Sequence, residues 1–156
     1  MGEHTKEKLV IIEKWLNEKY GESESRALDY IYSKEYKELY KPRNLEADYV
    51  NNIDGKSVYV DVIAPNDEWR TIIGKMVSFS ANAERAKEDY EVWIVTNFND
   101  DPKVAQAEGV EKVKFVEGWK MYFQEIKGLI NDTLKSDLTG RVKIFHLEED
   151  NLKLIC

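Results

Sequence analysis

Cysteine is almost absent from the chain. The single one, Cys156, is the last residue, which excludes an internal disulfide and argues against a cysteine metal cluster or a catalytic thiol. Histidine is nearly as scarce: His4 and His146 have no histidine partner near them in sequence and read as structural or surface residues. No apolar run reaches the length of a membrane span. The amino-terminal MGEHTKEK is charged and has no signal-peptide-like apolar stretch, so the expectation is a cytoplasmic chain with no membrane partner. Positive charge is in deficit, with 23 Lys and Arg against 30 Asp and Glu and a formal net charge of −7. A broad basic field for nucleic acid is therefore missing, and any contact with DNA must be local or metal-mediated. There is no glycine-rich phosphate cradle, which argues against nucleotide binding, and there is no repeat, low-complexity segment or linker.

What remains is an ordinary globular composition. The 156 residues, 42% of them hydrophobic, suit one domain with one well-buried core. Leu9, Ile12, Leu16 and Tyr20 recur at helical spacing ahead of Gly21, predicting a helix over 6–20. Ser23 can cap a second helix that buries Ala27, Leu28, Ile31 and Tyr32, with Tyr36 to Tyr40 open between helix and strand. After Pro65, Asn66 or Asp67 can cap a helix with an apolar stripe of Ile72, Met76, Phe79, Ala83 and Ala86. The run VWIVT, 92–96, is apolar without alternation, as in a central strand covered on both faces. Asp101 and Pro102 read as the start of a short helix closing at Gly109, and VEKVKFV, 110–116, alternates like a strand. Trp119, Phe123, Ile126 and Ile130 mark a further helix, and 141–147 and 152–155 return to strand character around an acidic turn. Trp15, Trp69, Trp93 and Trp119 all fall on faces that read as buried or half-buried. Lys34, Lys37, Lys41 and Arg43 form a local basic stretch, either a phosphate contact or a solvated face. A hairpin feeding strand-helix-strand units predicts a single α/β domain: a mixed sheet with helices on both faces.

The hairpin carries the chemistry. In EADYVNNIDGKSVYVDVIAP, residues 46–65, Asp54-Gly55 signals a two-residue type I′ turn. Counting outward from Ile53 opposite Lys56 brings Asp48 opposite Asp61 and Glu46 opposite Ile63. These four share one face, while Val58, Val60 and Val62 line the other and read as core. Directly opposed like charges are destabilising. Either a hard divalent cation offsets them, since Mg²⁺ takes one or two carboxylates and leaves other positions to water and phosphate, or the acidic face is simply solvated.

The pattern Glu46-Ala47-Asp48-Tyr49-Val50, hairpin, Val60-Asp61-Val62-Ile63 resembles the PD-(D/E)xK motif of the restriction-endonuclease-like superfamily. The order of the segments that follow is similar to that in Mrr-like and RecB-like nucleases, over a core of about 24–130 with a strand-rich tail at 131–156. The resemblance implies a Mg²⁺- or Mn²⁺-dependent nuclease acting on DNA. Asp48 and Asp61 take the places of the metal-binding acids, and Glu24 can match an early acidic residue that some members use. Ile63 stands where the family has its lysine. Some members draw that lysine from the following helix, which makes Lys75 the candidate here. The alternative is a catalytically degenerate relative that uses the fold for binding or assembly, as a homodimer or with a protein partner.

Overall fold

The structure is a computed structural model that describes residues 3–21, 27–28, 33–40, 45–67 and 69–156. Helix α1 (Glu3–Tyr20) ends at Gly21, whose φ of +87° and N–H bond to the Asn17 carbonyl close the last turn. Strand β1 (Ala27–Leu28), helix α2 (Lys34–Tyr40) and strand β2 (Leu45–Glu46) follow, with β1 and β2 paired antiparallel as a small sheet of their own. The expectation of a helix through Ala27 and Leu28 is thus corrected. These two residues pair with Glu46 and Leu45, and cross-strand pairing overrides their local helical spacing. Ser23, Glu24, Ile31, Tyr32, Lys41 and Arg43 lie outside the described residues.

The main sheet has five strands in the order β3-β4-β5-β6-β7: β3 (Tyr49–Ile53), β4 (Lys56–Val62), β5 (Tyr90–Thr96), β6 (Val142–Glu148) and β7 (Asn151–Leu154). Strands β4, β5 and β6 run parallel, and antiparallel hairpins close both edges. The crossovers between the parallel strands are α3 (Trp69–Ala86), then α4 (Pro102–Gln106) and α5 (Gly109–Leu134). The chain is therefore a single α/β domain with a mixed sheet. Among the described residues no helix is long and apolar enough to cross a membrane.

Both faces of the sheet are core. On one, Ile12 and Leu16 of α1 pack on Val58, Val60, Val62, Trp93 and Val95. On the other, Ile72, Met76, Phe79 and Ala83 of α3 and Phe123, Ile126 and Ile130 of α5 cover Tyr59, Ile63, Val92, Ile94 and Ile144. Strand β5 lies in the middle, apolar on both sides, as its unbroken run requires.

Two sequence expectations fail in the second crossover. Residues 110–116 are the first turns of α5 and not a strand, because Val116 continues into Trp119, Phe123, Ile126 and Ile130 at steps of three and four, a helical stripe longer than the local alternation. Gly109, expected to close the preceding helix, opens α5 instead, and α4 stops at Gln106. The start of that short helix is as expected, with Asp101 accepting from the Lys103 N–H and Pro102 in its first turn. Trp69 departs from its expected burial: it is 54% exposed at the first residue of α3.

Candidate functional site

The β3–β4 turn sets the geometry. Asp54 and Gly55 have φ of +52° and +80°, and the pairs run from Ile53–Lys56 to Tyr49–Val60, the register read from the sequence. Continuing that register brings the Asp48 and Asp61 carboxyl groups together at the carboxyl end of β4. Each is clamped by the backbone of the opposite strand: the Asp48 N–H donates to Asp61 Oδ1 (3.2 Å), and the Val62 N–H donates to Asp48 Oδ2 (2.8 Å). Glu46, expected opposite Ile63, instead pairs with Ala27 in the small sheet and is exposed.

The face that carries Asp61 is not solvated. Alternation puts Tyr59, Asp61 and Ile63 on the side covered by α3, and Asp61 is 5% exposed. Ile63 is 1% exposed and packs in the core, so the position of the family lysine is part of the hydrophobic interior. A cation arrives from elsewhere. Lys75, on the flank of α3 away from Ile72, Met76 and Phe79, donates from Nζ to Asp61 Oδ2 at 2.5 Å and lies 3.4 Å from the Val62 carbonyl oxygen. Its side chain keeps 30% exposure while that of Asp61 keeps 7%.

Asp61 titrates far above an ordinary carboxylate. Burial, the neighbouring Asp48 charge and a side-chain hydrogen bond with Asp48 raise its pKa from 3.8 to about 7, and Lys75 offsets only part of this. The site thus has two carboxyl groups and one ammonium, with a proton held near neutral pH.

The donors fit a hard cation. Among the described residues Asp61 Oδ2 and Asp48 Oδ1 accept no backbone N–H, Lys75 holds Asp61 Oδ2 and lies 3.4 Å from the Val62 carbonyl, and all three acceptors are oxygens of the kind that Mg²⁺ and Mn²⁺ select. Among the described residues no three of His, Cys, Asp and Glu gather as a metal group, so a cation here would take most of its shell from water or phosphate. Asp48, Asp61 and Lys75 are brought together, whereas Glu24 lies outside the described residues.

Other groups resolve as structural. His146 is buried, stacks on Phe98 (4.6 Å, 12°) and accepts the Phe98 N–H at Nδ1, and burial lowers its pKa. Asp67, a candidate helix cap, accepts the Ala64 N–H at Oδ2 (2.9 Å) and holds the corner between β4 and α3. The sequence reading missed the Val62 N–H clamp, because a count of paired residues does not show which backbone N–H the Asp48 carboxyl meets. It also missed a cleft of about 700 Å³ lined by Trp69, Lys103, Lys114, Phe115, Trp119 and Tyr122. These residues come from three separate segments, so no local signal marks them. No family model, curated protein or solved structure matches the chain.

Proposed function

We propose that the chain is a metal-dependent nuclease with a restriction-endonuclease-like core, hydrolysing phosphodiester bonds in DNA at Asp48 and Asp61 with Lys75 as the accompanying cation. The observation that carries this reading is the position of Lys75. An ammonium group from the helix after the hairpin reaches the carboxylate pair, at a site where Ile63 can offer none. Phosphodiester hydrolysis builds negative charge on the phosphate, so a positive group fixed beside it lowers the barrier. Lys75 retains enough exposure to turn from Asp61 toward a phosphate oxygen. Asp48 and Asp61 hold their oxygens in place through backbone N–H bonds and would bind Mg²⁺ or Mn²⁺ once Asp61 releases its proton. The bound ion supplies a Lewis acid and a water of lowered pKa. With a net charge of −7, contact with DNA is confined to this neighbourhood.

A second reading, a nuclease fold without catalysis that serves in binding or assembly, is favoured by the burial of Ile63, since the lysine position has been absorbed into core packing. Cleavage assays on linear DNA with Mn²⁺ or Mg²⁺ separate the two. The expected result is cutting that a chelator stops, with Asp61→Ala and Lys75→Ala each slower by about 100-fold or more. If Lys75→Ala keeps the native rate while Asp61→Ala abolishes it, the metal acts without the borrowed lysine. If no nucleic acid is cut and Mn²⁺ titration gives the same heat for the native chain and Asp61→Asn, the second reading stands.

A further inference from the structure

We propose that the cleft between the start of α3 and the first half of α5 is a stacking site for single-stranded nucleic acid. The choice of ligand class rests on the nuclease reading; the site itself rests on separate residues. Trp69 is 54% exposed on one wall, and Phe115, Trp119 and Tyr122 form the other. The far wall is held in place: the Trp119 indole N–H donates to Asp101 Oδ2 at 3.0 Å, and Tyr122 meets the Trp119 ring edge-on at 5.3 Å.

The charges in the cleft are unequal in availability. Asp101 spends both oxygens on Trp119 and the Lys103 N–H, and Asp67 accepts the Ala64 N–H. Lys103 and Lys114 are exposed, and their ammonium groups form no ion pair or hydrogen bond among the described residues. A ligand therefore meets aromatic side chains and two lysines without ion-pair partners among the described residues, beside the carboxylates of Asp67 and Asp101, which keep their charge but have three of their four oxygens engaged by N–H donors. That combination suits unpaired bases stacked on the rings with their phosphates on the lysines, and it is sequence-tolerant because every base has a π-face. A duplex keeps its base faces stacked on one another and cannot use it.

The position is also suitable. The cleft opens at Pro65, just after β4, and at Asp101, after β5, on the same carboxyl edge of the sheet as Asp61, where α/β proteins bind ligands. The carboxylates and the cleft thus both belong to the end of the sheet where the parallel strands finish.

Fluorescence anisotropy of a labelled oligo-dT, with a chelator present to prevent cleavage, tests the site. The expected result is binding that weakens with salt and exceeds that of a duplex of equal length by at least about tenfold. Trp69→Ala should lose about tenfold while Trp69→Phe, which keeps a ring, recovers most of it. Lys114→Ala should weaken binding and lower the salt slope by about one. Equal binding of single strand and duplex, or native affinity in Trp69→Ala, overturns the proposal. So does an apolar dye that binds the native chain but not Trp69→Ala while oligo-dT binds neither, which would mark an apolar protein-docking face. Oligo-dT binding without any cleavage defeats the nuclease reading and leaves this site standing, whereas metal-dependent cleavage together with native oligo-dT affinity in Trp69→Ala does the reverse.

Discussion

Glu91 and Asp61 are both acids in the main sheet with lysine beside them, and they behave in opposite ways. Glu91, near the amino end of β5, accepts the Trp93 indole N–H (2.8 Å) and Lys143 (2.9 Å), with Lys56 at 3.7 Å. Burial raises its pKa, but these donors outweigh burial and hold it below the ordinary value. Asp61, at the carboxyl end of β4, has one lysine and a second carboxyl group, and burial together with Asp48 pushes it up to about 7. Glu91 has more positive partners than its charge requires and is a structural tie between strands. Asp61 has fewer, and a site left electrostatically incomplete is where ligand chemistry is expected.

The largest way to break this contrast is Asp61→Asn. The Asp61 carboxyl keeps its proton to higher pH when folded than when unfolded, so the folded chain binds more protons between about pH 4 and 7. Native stability contributed by this group therefore falls as pH rises through that window, and an amide, which cannot ionise, escapes the loss. The interval from 3.8 to about 7 bounds the gain at roughly 4 kcal/mol above pH 7, at about 1.4 kcal/mol per pH unit. Urea unfolding at pH 4 and pH 8 should show Asp61→Asn more stable than the native chain at pH 8 and close to it at pH 4. A gain of the same size at both would mean that Asp61 is already ionised at the lower pH.

Glu91→Gln should act with the opposite sign and a smaller size. A lowered folded pKa contributes stability that is present above the unfolded value and lost as pH falls through the folded one. Because Lys56 and Lys143 keep about two-fifths of their side-chain exposure, solvent screens the pairs and the cost at pH 7 is about 1 kcal/mol. The difference between native and variant should shrink as pH falls through the lowered folded pKa of Glu91, and metal-dependent cleavage should be unchanged. Loss of cleavage in this variant would show that the acid matters beyond the tie it makes.

How much of this was written in the sequence depends on the reach of the signal. The β3–β4 register was legible because Asp54-Gly55 is a local turn with a fixed count outward, and that count was enough to place Asp48 beside Asp61. Lys75 was legible as a residue on the free flank of an amphipathic helix, though its 2.5 Å contact depends on where α3 lands on the sheet. Burial of Asp61 was not legible, because the alternation that marked Val58, Val60 and Val62 as core left the other face looking polar, and only Tyr59 and Ile63 under α3 show it to be core as well. Residues 110–116 misled because seven residues fit both a strand period and the first two turns of a helix, and the downstream stripe decides. Trp69 misled because its place on the helix reads as a buried or half-buried face, whereas here it lines a cleft built from distant segments.

The smallest effect tests whether the turn alone maintains the unsatisfied pair. Gly55 has a φ of +80°, and a Cβ added there would meet nothing within 4 Å, so Gly55→Ala introduces backbone strain without a clash. Placing an L-residue in this region costs about 1 kcal/mol, enough to lower the midpoint of thermal unfolding by a few degrees for a chain of this size. The register has a second support. Slipping β3 by one residue would exchange Tyr49, which packs in the cluster under α1, with Val50, which packs in the cluster on the other face, and neither site fits the other side chain. The cross-strand pairs from Tyr49–Val60 to Ile53–Lys56 should therefore hold Asp48 against Asp61 even with the turn weakened. The Asp61 midpoint near 7, followed by carboxyl NMR titration in Gly55→Ala, is expected to stay where it is while the unfolding temperature falls. A midpoint that dropped toward the ordinary carboxylate range would mean that Asp48 had moved away, and that two residues of turn, rather than the packed faces of β3 and β4, bring the two carboxyl groups together.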